Sequence, residues 1–360
     1  MMSQKIITTH HSADRAQLAF YVETLLADAR ADFDAESRSM TCSQTIAVYT
    51  KDNLEQFKDF WGGARSDGST NAQSVLKALE KHPTPWRCSP APADLAFAEF
   101  ERRFPNFSEP IGDMRRAAAL ASLGAGRPLT LSPMLLDGPP GIGKSRFASE
   151  LASLLGVPMR SFSMAVSSAA FSLGGLNPQY ASGGPGLLVR SVADLGVPDP
   201  VIVVDEIDKA QRNGNSDPTS PLLELFEMGT AARFIDEGLM MPLNLSGIRW
   251  VCTCNDAEQI DDPLRSRLVH YQIPAPTPEQ MRVLASTTYR DVIASGDLSS
   301  HFDPDLPEHV RDELVELVPR DLARVIRTAL GAAAIDRRST LRLSDLPSTR
   351  KAGRPRIGFC

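Results

Sequence analysis

The chain has few cysteines and none in a metal-site pattern. Cys42, Cys88, Cys252, Cys254 and Cys360 are odd in number across 360 residues. The one close pair, Cys252-Thr253-Cys254, is C-x-C inside an apolar run with no second ligand pair, which reads as structural thiols rather than a metal centre. No run of eighteen apolar residues occurs, so no membrane-spanning helix is expected. Met1-Met2-Ser3-Gln4-Lys5 is followed by no apolar core of signal-peptide length, and a cytoplasmic location is expected. Neither sign of charge dominates, with 38 Lys and Arg against 44 Asp and Glu. A net charge of −6 and a pI near 5.6 argue against a chain that coats nucleic acid along its whole surface, although a local basic patch would still do so. There is no internal repeat, and low complexity is confined to one Pro-rich stretch.

What is present is the balance of a soluble globular protein, 42% hydrophobic and 23% charged. The length suggests about two to three units with substantial cores. Helix-period segments dominate the first ~95 residues: Ala16 to Ala27, Asn53 to Trp61 and Ala72 to His82, with a turn-rich Gly62 to Gly68 between the last two. His82-Pro83-Thr84-Pro85-Trp86 and Ser89-Pro90-Ala91-Pro92 exclude a continuous helix and read as a domain boundary. From Met134 onward, strand-like runs alternate with helix-period stretches: Met134 to Asp137, Pro158 to Phe162, Val201 to Val204 and Ile248 to Cys252. That alternation predicts an α/β unit with a parallel, doubly covered sheet. After about Pro274 helical segments take over, at Pro278 to Ser295, Leu306 to Leu317 and Asp321 to Ile335.

The chemistry begins where the first of these strands ends. Gly138-Pro139-Pro140-Gly141-Ile142-Gly143-Lys144-Ser145 is G-x-x-x-x-G-K-S between a strand and a helix-forming stretch that starts at Arg146. In that context the glycines let backbone N–H groups face phosphate oxygens, and the helix N-terminus adds positive potential. Lys144 would neutralise the β/γ-phosphates of ATP and Ser145 would ligate Mg²⁺, with Arg146 completing the binding segment. Sixty residues later Val201-Ile202-Val203-Val204-Asp205-Glu206 is a buried-type strand ending in two carboxylates. An interior cannot hold these unless the strand end faces a polar site. Asp205 fits the Mg²⁺ shell, and Glu206 is placed to accept a proton from the attacking water.

Asp205-Glu206-Ile207-Asp208-Lys209, followed by Asp217-Pro218-Thr219-Ser220-Pro221-Leu222-Leu223-Glu224, resembles the ATPase module of Lon-type AAA+ proteins, over roughly residues 105 to 347. The resemblance implies an ATP phosphohydrolase with a five-stranded parallel sheet of order 5-1-4-3-2, an α-helical lid and a ring-shaped homo-oligomer, usually hexameric. It divides the chain into a separate, mostly helical N-terminal region at 1–95, a large α/β subdomain at 96–274, a helical lid at 275–347 and a basic tail at 348–360. Asn255, at the end of Trp250-Val251-Cys252-Thr253-Cys254-Asn255, matches the sensor-1 residue that orients water, with a strand-ending turn as the alternative. Arg267 in Pro263-Leu264-Arg265-Ser266-Arg267 matches the arginine finger, with Arg265 as substitute and surface ion pairs as the other reading. Arg320 in Pro319-Arg320-Asp321-Leu322 matches sensor 2, or is an ordinary helix-start arginine. Ile111, with Phe104 and Phe107 close by, falls in the adenine-contacting segment, where core packing is equally expected.

The same likeness assigns Gln179 to Gly186 to a pore loop in which Tyr180 grips an extended polypeptide, and Arg233 to Pro242 to a second pore-facing turn. Tyr180 packed in the core is the alternative. The function expected is therefore a motor that remodels or unfolds a protein partner. No match to the Ser-Lys protease domain of Lon lies within these residues, so proteolysis by this chain alone is not expected. Thr349-Arg350-Lys351-Ala352-Gly353-Arg354-Pro355-Arg356 resembles an AT-hook. It leaves open a DNA-associated loader or scaffold, a solvated basic tail, or a tail that docks on a neighbouring subunit. A nucleotide-gated switch is the third reading.

Overall fold

The computed structural model describes residues 45–62, 67–123, 128–165, 171–177, 183–210 and 217–347. They form two compact units. One takes in the described residues up to Phe97, Gly112–Asp137 and Ser145–Gln272; the other takes in Ala98–Ile111, Gly138–Lys144 and the described residues from Ile273 onward.

The first unit is built on a five-stranded parallel sheet. Its strands are β1 (Met134–Asp137), β2 (Met159–Ser163), β3 (Val201–Asp205), β4 (Arg249–Cys254) and β5 (Val269–Gln272). Their spatial order is β5-β1-β4-β3-β2, the 5-1-4-3-2 order expected. Central strands β1 and β4 are buried along their whole length, and β3 is buried except at Asp205. This is why they read as continuous apolar runs. The edge strand β5 has three exposed residues in four, Val269-His270-Tyr271-Gln272, and so carries no such run.

The N-terminal part differs from expectation. Helix α1 (Lys51–Gly62) buries Leu54, Phe57 and Trp61, and α2 (Asp67–Glu80) buries Ala72, Val75, Leu76 and Leu79, both at helical spacing. These side chains belong to the same apolar cluster as Ile202, Val204, Trp250 and Cys252 of the sheet. The Trp61 indole N–H donates to the Leu239 carbonyl at 3.1 Å, and the Val48 carbonyl accepts from the Asn244 amide at 2.8 Å. The described residues before the Pro-rich stretch are thus part of the α/β unit, not a separate region. The prolines do end α2, but Trp86 and Cys88 beside them are 3% and 2% exposed. Trp86–Arg87 pairs antiparallel with Thr45–Ile46, which makes the stretch a turn inside a core rather than a linker. The helix expected at Ala16 to Ala27 and the basic tail both lie outside the described residues. Helices α3 (Asp94–Arg103) and α4 (Ser108–Leu123) then lead to β1. Helix α5 (Lys144–Leu155) follows β1, and α6 (Leu187–Leu195) precedes β3.

The second unit is helical from residue 278 on. Helix α7 (Pro278–Ser295) starts with a capping box, in which the Thr277 hydroxyl accepts from the Gln280 amide and the Gln280 side chain accepts from the Thr277 amide. Helix α8 (Pro319–Ile335) starts with Pro at its first turn, where a missing N–H costs nothing. Met281, Leu284, Tyr289, Leu322, Val325, Ile326 and Leu330 form their shared core. The segment at Leu306 to Leu317 is shorter than expected, one helix at Glu308–Glu313 and a 3₁₀ turn at Leu314–Glu316, and Leu317 is extended. The phosphate-loop residues Gly138–Lys144 and the segment Ala98–Ile111 cluster with this unit, where the expected subdivision put them with the sheet.

Candidate nucleotide site

The loop after β1 has the conformation its glycines require. Gly141 and Gly143 have φ of 85° and 108°, a region L side chains rarely adopt. At Gly138 a Cβ would come within 2.4 Å of the Ile273 carbonyl oxygen, so no side chain fits. Lys144 is 8% exposed, and its Nζ donates to the Gly138 and Pro139 carbonyls at 2.5 and 3.1 Å. Arg320 reaches the same loop. Its backbone N–H donates to the Gly141 carbonyl at 3.1 Å, and its side chain lies 3.6 to 3.9 Å from where a Cβ on Gly141 would stand. The exposed side chain of Arg320 at the start of α8 is therefore beside the phosphate loop.

In the α/β unit, the C-terminal strand ends carry the acidic chemistry. The Ser145 hydroxyl, in the first turn of α5, stands 3.4 and 3.5 Å from the two Asp205 oxygens. A hydroxyl and a carboxylate are hard oxygen donors of the kind Mg²⁺ takes; neighbouring corners around that ion lie about 3 Å apart for bonds of about 2.1 Å, so the two would close by about half an ångström on holding it. The residues present fit that ion. Glu206 is half-buried and adopts φ 55°, ψ 49°. For a residue with a Cβ this left-handed conformation costs about 1 to 2 kcal/mol, so surrounding contacts must impose it. Asn255 is exposed at the end of β4, and its N–H lies 3.4 Å from Asp208 Oδ2.

Two further polar residues at the C-terminal strand ends were not legible in the sequence. Thr253 is 1% exposed and, like Asp205, stands one residue past the paired Val204 and Cys252 of the two neighbouring strands. Its hydroxyl donates to Asp205 Oδ1 in a short hydrogen bond and accepts the Glu206 N–H at 3.1 Å. Placed between two cysteines in an apolar run, it reads as filler. Asp137, the last residue of β1, has its Oδ2 3.0 Å from His270 Nε2. The polar residue directly before the phosphate loop was the available signal.

Arg267 makes a 2.8 Å ion pair with Glu227 and donates from Nη1 to the Pro263 carbonyl at 2.6 Å. Arg265 pairs with Asp262 at 2.6 Å, so both candidate fingers are held by their own chain. Arg146 pairs with Glu150 one turn along α5, at 2.8 Å. Ile111 is 1% exposed and Phe104 and Phe107 are 3% and 1% exposed, the packing arrangement expected as the alternative to adenine contact. Cys252 and Cys254 are core residues, and burial pushes the Cys252 thiol well above its ordinary range.

Tyr180 lies outside the described residues, but the base of its loop does not. Leu176 and Gly184 exchange backbone hydrogen bonds at 3.0 and 2.8 Å. The second expected element is a hairpin pairing Phe234–Ile235 with Pro242–Leu243. Its Asp236 is fully buried and accepts from the amides of Gly186, Gly238 and Leu239 at 2.8 to 2.9 Å, which ties the two elements together. Burial pushes the Asp236 carboxyl up to about 7, against the pull of those three N–H groups and of Arg190.

Residues 134–275 match the AAA family, described as the ATPase family associated with various cellular activities. The chain carries an AAA ATPase domain. Over 131 residues it is 37% identical to a mitochondrial Lon protease homolog of Ostreococcus lucimarinus, covering 36% of this chain and 14% of the relative. A peroxisomal Lon protease homolog 2 of Pichia angusta is 37% identical over 136 residues, 38% of this chain and 14% of that one. A mitochondrial homolog of Rattus norvegicus is 34% identical over 135 residues, with shares of 38% and 14%. The chain thus spans about one seventh of the length of these relatives. A solved point mutant of Thermotoga maritima RuvB aligns at a TM-score of 0.45 with 13% identity, covering 69% of this chain and 66% of that one. Among the described residues no helix is long and apolar enough to cross a membrane.

Proposed function

We infer that the AAA domain hydrolyses ATP at the residues just described and that the work is delivered to a protein partner. The observation that carries the reading is the carboxylate pair at the end of β3: Asp205 facing the Ser145 hydroxyl, and Glu206 turned out of the strand by its left-handed backbone. In this account Gly138 to Lys144 holds the phosphates through backbone N–H groups and the Lys144 ammonium. Ser145 and Asp205 hold Mg²⁺, which when bound neutralises charge on the phosphate oxygens. Glu206 takes the proton of the attacking water, and Asn255, with one donor and one acceptor group, orients that water. Arg320 follows the γ-phosphate from the start of α8, so that lid position depends on the nucleotide.

Arg267 acts on a neighbouring subunit's nucleotide in a ring assembly, for which it must exchange its Glu227 partner for phosphate oxygens. The protein partner is drawn past Tyr180; the described residues on either side of it are anchored, Leu176 to Gly184 by backbone hydrogen bonds and Gly186 to Asp236. The test is ATPase stimulation in the presence of an unfolded tagged protein and, separately, of duplex DNA. Stimulation by the protein alone is expected. Stimulation by DNA alone, lost on removal of residues 349 to 360 and falling with salt, would replace the protein-remodelling reading with the DNA-associated one.

A further inference from the structure

Asp205 and Glu206 are joined by a third residue that holds both. A threonine hydroxyl has one proton and two lone pairs, and Thr253 uses them in opposite directions. The proton goes to Asp205 Oδ1, and a lone pair receives the Glu206 N–H at 3.1 Å. At 1% exposure, Thr253 has no access to solvent that would replace either bond. Asp205 Oδ1 is in turn 3.4 Å from the Ser145 hydroxyl. A continuous line of contacts therefore runs from Ser145 through Asp205 and Thr253 to the backbone of Glu206.

A strand continued through Glu206 would send successive side chains to opposite faces. The left-handed turn at Glu206 breaks that alternation, and the Thr253 hydroxyl oxygen accepts the hydrogen bond its amide N–H donates. We propose that Thr253 is a positioning residue for hydrolysis: one hydroxyl fixes the metal-side carboxylate and the backbone angle of the general base together, so that both take up their working geometry as a unit. This rests on the ATPase reading above. No bond is made or broken at Thr253, which acts through Asp205 and Glu206.

The test compares Thr253→Val, which keeps the shape and removes the hydroxyl, with Thr253→Ser, which restores it. Thermal unfolding, Mg²⁺-free ATP binding, the Mg²⁺ concentration for half-maximal turnover, kcat, and amide hydrogen exchange of the peptide containing Glu206 without nucleotide are measured on each. For Thr253→Val the expected result is Mg²⁺-free ATP binding within about threefold of the parent, with kcat reduced roughly 10- to 100-fold. A raised Mg²⁺ requirement and faster exchange at Glu206 should accompany the loss, and Thr253→Ser should restore all of these. A Val variant with parental kcat and Mg²⁺ response overturns the proposal. So does a Ser variant as impaired as Val, because shape would then matter rather than the hydroxyl. Unfolding of Val while Ser folds normally also overturns it, assigning the hydroxyl to the fold. Exchange at Glu206 reads the Thr253 contact without any turnover, so a failed ATPase reading would leave that signal standing and be told apart.

Discussion

The two ends of the central strands treat charge in opposite ways. At their N-terminal ends, Arg249 opens β4 and Asp199 precedes β3, 1% and 3% exposed and joined by a 2.9 Å ion pair. The Asp199 carbonyl also accepts from Arg249, and Asp199 Oδ2 takes the Ser89 amide and hydroxyl at 2.7 and 2.8 Å. At the C-terminal ends, Asp205 and Glu206 are half-buried and Asn255 is exposed. Their partners include Thr253, Ser145 and, for the Asn255 N–H, Asp208. The first cluster spends most of its polar groups on one another, leaving Asp199 Oδ1 and Arg249 Nε without a hydrogen-bond partner, and closes the N-terminal segment onto the sheet. The second leaves Asp205 and Glu206 part-exposed, as a ligand site needs.

Removing one partner of the closed pair should have the largest effect on stability. Arg249→Leu leaves Asp199 charged and buried, and a loss of about 3 to 5 kcal/mol is expected in denaturant unfolding. A loss below about 1 kcal/mol would mean that water reaches Asp199 and that the two strand ends do not differ as described.

Next in size is a pH effect at the buried Asp236. Its carboxyl titrates near 7 in the folded chain, above the ordinary carboxylate value of about 4. The native state thus holds a proton that the unfolded chain has released, so stability contributed at low pH is lost as pH rises from about 4 to about 7. Melting temperatures across that window should fall with pH, and Asp236→Asn should flatten the slope. An unchanged slope in the variant would assign the titration elsewhere.

The smallest of the three on stability is Arg267→Ala. Its pair with Glu227 is partly exposed, and a cost within about 1 kcal/mol is expected. Turnover should nevertheless fall by at least roughly 100-fold, with nucleotide affinity nearly intact. Mixing the variant with Glu206→Gln subunits should restore part of the activity. No rescue would mean that Arg267 acts within its own subunit or not at all.

Much of this contrast was visible beforehand, and the gaps have physical causes. The phosphate loop and the β3 carboxylates are local patterns in which spacing alone carries the chemistry, and their strands lie where the apolar runs put them. Thr253 and Asp137 are ordinary residue types whose roles come from strand pairing, Val204 with Cys252 and Asp137 with Cys254, and pairing is not written in a local window. Strand β5 was missed because an edge strand need not be apolar. The Pro-rich stretch misled for a related reason: prolines forbid helix and central strand, yet they do not forbid burial of Trp86 and Cys88 between them.

The central claim is that the open cluster exists for hydrolysis, and Glu206→Gln tests it most directly. The substitution keeps size and hydrogen-bonding capacity while removing the base. Unfolding free energy and ATP affinity should match the parent, while kcat falls roughly 10²- to 10⁴-fold. Unchanged turnover, or a loss that tracks lost ATP affinity, would contradict the account.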